Sequence, residues 1–440
     1  MKTFRTFSFG CRVNQAEEEE IQKKMLQSGF SWAEKEPDIM IVNTCAVTEK
    51  AEREARQFVY NIKRESPNTF LVTTGCALTN WQSRSAGLKA SLAGQKDALL
   101  GRLPIDFSVD NVNKEYLVEL ISHKFNVKRL TFNIKKNLHQ DKYISSGRYL
   151  LKIQDGCHRF CTFCIVPYLR GLPKSSRISS IVEKINHLPK HMKEVVLTAI
   201  NTEAFGKETG ETFIDLVKTV LEKTKIERLS FGSIHPWSIN QDFLKFYRDV
   251  AGENRLIDFF HIPLQSGSDK MLQLMKRNYK RKEIEEKLFE IQKINPYALI
   301  GTDVIVGFLE ETDKDFEDTY EFLKKVPISK FHVFRFSKKK KTAAYYMAKR
   351  LPEPTPTQKQ ARSKRLIQLS QRKYAQFQAS LIGKTFSCLL LPQYNHGQEG
   401  LLSNQVPIFV HEKEKNNSFK LHSVLVESVK KTRLIGKLLD

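Results

Sequence analysis

Asp155-Gly156-Cys157-His158-Arg159-Phe160-Cys161-Thr162-Phe163-Cys164 decides how this chain is read. Three residues separate its first two cysteines and two separate the next pair, a spacing too tight for core packing and well suited to chelation. Thiolates at this pitch can hold three irons of a cubane, and three of them leave the fourth iron without a protein ligand. Zinc is the competing reading, with His158 or a distant residue as fourth ligand. Structural zinc wants four closed ligands, however, and no second Cys or His pair lies nearby. A disulfide knot fits less well. The chain has seven cysteines, an odd count, and Met1-Lys2-Thr3-Phe4-Arg5 carries no secretory pattern, so a reducing cytoplasm is the expected setting.

Upstream, strand-like and helix-like stretches alternate. Thr3–Ser8 reads as a strand and precedes Gly10-Cys11; Asp38–Asn43, apolar and β-branched, precedes Thr44-Cys45; Thr69–Thr74 precedes Gly75-Cys76. Helices are expected after Cys11, with Asn14 as N-cap and Glu17 to Glu20 facing the positive end of the dipole, and again from Ala51 to Arg64. Strands alternating with helices imply a parallel sheet whose carboxyl ends share one edge, the edge where such folds bind ligands. Cys11, Cys45 and Cys76 can therefore converge into a second three-thiolate site. Any one of them alone is most simply a small buried hydrophobe; three in register at equivalent strand ends argue for a site.

Downstream, six further strand-then-helix units run from Arg148–Gln154 to Lys330–Phe334 and make a partial (βα)6 barrel, which carries its chemistry at the carboxyl ends of its strands. The cysteine loop lies at one such end, as do Asn201, Gln265-Ser266 and Gly307, with Ile305 just before that glycine. The polar run at Gln265 follows Pro263 at a strand end and has no packing reason to be there, whereas Ile305 is equally well read as core. After Pro352-Glu353-Pro354-Thr355-Pro356 comes a basic helix, then short strands that make a small β-barrel. Its Cys388 reads as a buried thiol, and Phe386, Phe409 and Phe419 as core before base-stacking platforms.

The balance of charge is 72 Lys and Arg against 49 Asp and Glu, or +23. An excess of this size predicts a polyanionic partner, because neutralising phosphates releases counterions. A membrane surface would ask for a basic amphipathic terminal helix or a lipidation motif, and neither is present. No apolar run is long enough to span a bilayer. The expected partner is nucleic acid. Lys338 to Lys341 are read either as an RNA contact or as a solvated face.

The cysteine loop resembles the signature of the radical S-adenosylmethionine superfamily. Gly10-Cys11-Arg12-Val13-Asn14-Gln15, Asn43-Thr44-Cys45-Ala46-Val47-Thr48-Glu49-Lys50-Ala51-Glu52-Arg53 and Thr74-Gly75-Cys76 narrow that resemblance to its methylthiotransferase family. The run after Cys45 is most similar to the branch that modifies N6-threonylcarbamoyladenosine next to the tRNA anticodon; sister branches modify isopentenyladenosine in tRNA or an aspartate of a ribosomal protein. The resemblance implies an α/β protein in four parts: a methylthiotransferase domain at 1–112, a basic connector at 113–142, a radical SAM core at 143–375, and an OB-like TRAM barrel that binds RNA at 376–440. It implies two 4Fe-4S clusters, one on Cys157, Cys161 and Cys164 and one on Cys11, Cys45 and Cys76, both opening on one cavity. S-adenosylmethionine would be held with the help of Phe163, Asn201, Gln265, Ser266, Ile305 and Gly307. A tRNA anticodon stem-loop, a reductant such as flavodoxin or ferredoxin, a cytoplasmic location and a monomeric state are further implications. A non-catalytic iron-sulfur or zinc RNA-binding protein stays open as the alternative.

Four places depart from the family pattern. Ala199 stands for glycine, His235 for glutamate, and Leu309-Glu310 and Lys340-Lys341 each for Pro-Gly. A methyl at Ala199 requires a negative φ there.

Overall fold

The computed structural model describes residues 1–85, 103–127, 147–391, 398–411 and 419–439. The chain divides into two compact units, one of residues 1–141, 156–158 and 164–172, the other of residues 142–155, 159–163 and 173–440.

The first unit is built on five parallel strands, β1 (Thr3–Ser8), β2 (Ser31–Trp32), β3 (Ile39–Thr44), β4 (Phe70–Gly75) and β5 (Phe107–Val109), in the order β2-β1-β3-β4-β5. β3 is central, and all six of its residues are buried, as a strand covered on both faces requires. Ile39 and Ile41 pack with Ile21, Met25, Leu117 and Ile121 on one face. Met40 and Val42 pack with Val59 on the other. Three of these strands match the stretches read from sequence to within a residue.

Two sequence readings need correcting here. The helix after β1 spans Arg12–Gln27 with Cys11, not Asn14, at its N-cap; the Asn14 amide instead donates to the carbonyls of Phe9 and Thr44. The connector expected from residue 113 starts later, because Leu117–Lys124 is a helix whose Leu117, Val118 and Ile121 belong to the core. Its polar residues lie on the outer face. The Lys128 to Lys136 stretch, also read as connector, lies outside the described residues.

The second unit opens with β6 (Arg148–Asp155), its short antiparallel neighbour β7 (Lys174–Ser175), β8 (Glu194–Ala199) and β9 (Arg228–Phe231). A second parallel group follows, β10 (Phe259–His261), β11 (Leu299–Val306) and β12 (Lys330–Arg335). Leu229 joins the two groups by pairing with the segment before β10, through Leu229 N–H to Arg255 O at 2.7 Å and Ile257 N–H to Leu229 O at 2.9 Å. Six parallel strands thus form an open arc, with the large core between the strands and their helices. The helix Pro356–Ser380 adds Leu366 and Leu369 to it. Much of that helix's positive charge is spent internally: Arg362 pairs with Glu311 and Asp313, and Lys373 caps the carbonyls of Leu323, Lys324 and Val326.

Strands β13 (Thr385–Leu390), β14 (Gln398–Leu402), β15 (Pro407–Val410), β16 (Leu421–Lys430) and β17 (Arg433–Leu438) close into a small barrel. Cys388 is fully buried in it. Its core cluster includes Leu299 at the start of β11, and Ser403 O accepts the N–H of Asp258 just before β10. The small barrel therefore covers the amino ends of the parallel strands. Chemistry is expected at their carboxyl ends. Among the described residues no helix is long and apolar enough to cross a membrane.

Candidate functional site

Cys45 and Cys76 stand immediately past the carboxyl ends of β3 and β4, and Cys11 follows the end of β1 after Phe9 and Gly10; the three strands are neighbours in the sheet. In this strand order the chain reverses direction of growth at the β1/β3 boundary, the crevice where open α/β sheets hold ligands. The three thiols lie within electrostatic reach of one another, Cys45 with both Cys11 and Cys76 and Cys11 with Cys76. Gly10 makes room for this. It has φ +96°, and a Cβ there would lie 2.4 Å from the Cys45 sulfur. Burial pushes the Cys45 thiol up to about 12, against the Val47 N–H that favours the thiolate. Such thiols are ionised by metal, not by water.

Beneath the trio lies a buried polar network that sequence reasoning missed. The Arg170 guanidinium donates through Nε to the Cys76 sulfur at 3.2 Å, through Nη1 to Glu17 Oε1 at 2.8 Å and through Nη2 to Asn14 Oδ1 at 2.6 Å. Lys114 donates to Glu17 Oε2 at 2.6 Å and to Asn43 Oδ1 at 3.1 Å, and Asn111 reaches the Cys76 sulfur at 3.5 Å. Glu17 is therefore a buried partner of two cations and no complement to the helix dipole. A cationic donor on a thiolate sulfur offsets the negative charge that a thiolate-ligated cluster accumulates. The available signal was position, since Arg170 follows Cys164 by one helical turn and a half.

The cysteine loop between β6 and the helix Val166–Arg170 is held at several points. Gly156, at φ +71°, passes so close to Leu172 that a Cβ would meet its carbonyl oxygen at 2.1 Å. The Cys157 N–H donates to Gly171 O. Thr162 bonds through N–H to Met275 O and through its hydroxyl to Leu274 O. Phe160 takes a positive φ of 46°, a conformation uncommon outside glycine and enriched at functional sites. Cys161 is buried, and Arg277 Nη1 stands 3.6 Å from its sulfur while Nη2 donates to Pro263 O. Arg159 and Arg277 lie over the Trp237 ring, at 4.2 and 4.4 Å from its centroid. This cationic sandwich was not foreseen either.

The remaining expected residues divide into two groups. Phe163 and Ile305 pack against one cluster that also holds Met271, Met275, Phe308 and Phe336. Asn201, buried at the end of β8, receives Gln154 Oε1 on its N–H and accepts the Glu203 N–H on its side chain. Gln265 sits at φ +79° and pairs through its backbone with Asp303 and Ile305. The Ser266 hydroxyl meets Thr319 Oγ1 and the Ser268 N–H, and the Gly307 N–H donates to Glu311. Ala199 keeps a negative φ, so its methyl is accommodated. Lys339 is buried and Lys341 half-buried, whereas Lys338 and Lys340 are exposed, Lys338 paired with Glu353.

Each cysteine trio offers three thiols, the donor set that suits a cubane with one open iron. A zinc ion with Zn–S near 2.3 Å needs its sulfurs about 3.8 Å apart. Among the described residues, no three cysteines bring their sulfurs within 4.8 Å of one another.

The chain is similar to known proteins over most of its length. The model described as Radical SAM superfamily matches residues 151–323, and that described as Uncharacterized protein family UPF0004 matches residues 3–94. The Threonylcarbamoyladenosine tRNA methylthiotransferase MtaB of Aquifex aeolicus is 34% identical over 88% of this chain and 92% of its own length. The MtaB of Rickettsia prowazekii is 30% identical over 87% of this chain and 86% of its own. The tRNA-2-methylthio-N(6)-dimethylallyladenosine synthase of Petrotoga mobilis is 30% identical over 77% of this chain and 76% of its own.

Proposed function

Because the chain belongs to the radical SAM methylthiotransferase family, we propose that it adds a methylthio group to C2 of N6-threonylcarbamoyladenosine beside the anticodon of tRNA. The observation that carries the choice of substrate is the 34% identity to the Aquifex aeolicus MtaB across nearly the whole of both chains. The run Val47-Thr48-Glu49-Lys50-Ala51-Glu52-Arg53 after Cys45 points the same way.

Cys157, Cys161 and Cys164 would hold the cluster that binds S-adenosylmethionine, and Cys11, Cys45 and Cys76 would hold a second. When bound, the first cluster and S-adenosylmethionine supply a 5′-deoxyadenosyl radical, and the second carries the sulfur to be methylated. The protein's own work is positional. Phe163 and Ile305 form an apolar wall suited to adenine, Gln265 and Asn201 offer polar groups at strand ends, and Arg277 and Arg170 each hold a cationic donor against one cysteine sulfur. A stacked adenine cannot reach either site, so the base is splayed out at a cost of about a few kcal/mol, which the chain's +23 charge can offset through phosphate contacts.

Nucleoside analysis of tRNA from a deletion strain tests the substrate. Loss of 2-methylthio-N6-threonylcarbamoyladenosine, restored by the wild-type chain and not by Cys45→Ala, is expected. Loss of the isopentenyl derivative instead would move the enzyme to the sister branch. Unchanged tRNA with an unmodified ribosomal-protein aspartate would move it to the third. Anaerobically reconstituted protein should carry about eight irons and cleave S-adenosylmethionine when reduced; tRNA binding without cleavage would leave only an RNA-binding protein.

A further inference from the structure

His261, Asp303 and His332 stand on the three adjacent parallel strands β10, β11 and β12, away from every cysteine in sequence. In register, Asp303 lies directly opposite His332, and His261 lies opposite Gly301, one step along the same face of β11. His261 Nε2 is 3.2 Å from one carboxylate oxygen of Asp303, and His332 Nδ1 is 3.3 Å from the other. One ligand atom from each residue falls within a sphere where all lie within 4.8 Å of one another. From this geometry we infer that the three residues bind one divalent transition-metal cation.

An ion held at about 2.1 Å by imidazole nitrogen and carboxylate oxygen sees two donors at this separation under roughly 100°, between the tetrahedral and octahedral ideals. The backbone is shaped for it. A side chain at Gly301 would bring a Cβ to 3.2 Å from His261 Nδ1, tight enough to disturb the ring, so glycine lets the imidazole lie across β11 toward Asp303. The inner two ligands are mostly covered, at 12% and 25% exposure, whereas His332 is 58% exposed and gives the ion a way in. Two imidazoles and a carboxylate suit Zn²⁺, Fe²⁺, Co²⁺ or Mn²⁺, and three protein ligands leave coordination positions for water or another oxygen ligand. A thiol-free set also keeps the ion apart from cluster assembly. Among the described residues, neither carboxylate oxygen of Asp303 has another side-chain partner besides these two rings.

The test uses anaerobically reconstituted full-length protein, dialysed against a weak chelator and then against Zn²⁺ or Mn²⁺, with iron, zinc and manganese counted together. Mn²⁺ guards against binding at vacant thiols, since it prefers nitrogen and oxygen donors. The expected result is about one ion per chain beyond the iron of the clusters, with affinity falling at least about tenfold in His332→Ala and in Asp303→Asn at unchanged iron content. His332 is on the surface, so its variant reports on binding and not on folding; thermal melts check Asp303→Asn. Equal uptake by wild type and His332→Ala, uptake that tracks iron loss, or no uptake by the wild type would each overturn the site. None of these outcomes bears on the methylthiotransferase reading, whose readouts are tRNA nucleosides and cofactor cleavage.

Discussion

Glu310 and Lys341 occupy left-handed backbone, at φ 57° and 75°, in the two loops where the family pattern has Pro-Gly. A side chain in that region costs about 1–2 kcal/mol, part of which glycine returns by loosening the unfolded chain. Glu310→Gly and Lys341→Gly should therefore each stabilise the protein by about 1 kcal/mol or less, seen as a raised Tm; a lowered Tm would mean that the side chains repay the strain. The Glu310 contacts survive the change because they are backbone ones, its N–H to Pro352 O and its O from Lys270. At His235, the other conspicuous departure, burial and the neighbouring Arg277 push the imidazole down to about 3, whereas the unfolded ring titrates near 6.5. The unfolded chain then binds more protons below about pH 6.5, so this residue removes stability as pH falls from there toward 3. His235→Asn should flatten the loss of Tm between pH 7 and pH 5, and equal losses in the two proteins would assign the acid sensitivity elsewhere. The sequence shows which side chain departs from a family pattern. It does not show the φ or the burial that the new side chain inherits.

Elements were the most legible level. β1, β3 and β4 could be read because β-branched and aromatic runs end at Gly-Cys or Thr-Cys, and burial of β3 on both faces follows from its uninterrupted apolar character. Leu117–Lys124 was misread because its charges were counted and its Leu117, Val118, Ile121 spacing was not. Partners that come from distant elements left no such trace. The short helix Val166–Arg170 illustrates this: its last residue, with a side chain only 2% exposed, crosses to Glu17, Asn14 and Cys76. Arg170→Met should lower iron from about eight to about four per chain and abolish methylthiolation, while reductive cleavage of S-adenosylmethionine persists. Iron analysis beside a 5′-deoxyadenosine assay decides it, and an undiminished iron count would reduce Arg170 to a packing role. Buried Glu17 also loses a partner in this variant, so a melt should accompany the iron count.

Across the molecule as a whole, the least legible feature is what the C-terminal barrel does for the strands it covers. Short strand-like runs with turn signals read as a small barrel, and its resemblance to the family's TRAM module implied RNA binding; nothing periodic in it announced a docking face. Glu194, fully buried at the start of β8, takes bonds from Arg148 at 3.0 Å, Ser230 at 2.6 Å and Gln405 at 2.9 Å, the last from 211 residues away. Arg228, equally buried at the start of β9, donates to Leu401 O, and Asn404 donates to Tyr297 O. Charges buried at this depth are tolerable only while their partners stay in place. The barrel is then part of the core of the second unit and not a detachable RNA-binding module. A chain ending before Leu381 should expose Leu299, Phe259 and the Glu194–Arg228 pair, and it should aggregate or melt well below the full-length protein, losing cofactor cleavage along with tRNA binding. Should the shortened chain instead stay folded and cleave S-adenosylmethionine at the full rate, with only tRNA affinity reduced, the barrel would be a module after all. Glu194→Ala in the full chain separates the two cases independently. Its Arg148, Arg228 and Gln405 partners would be left buried, and a loss of about 3–5 kcal/mol follows if the docking face is structural.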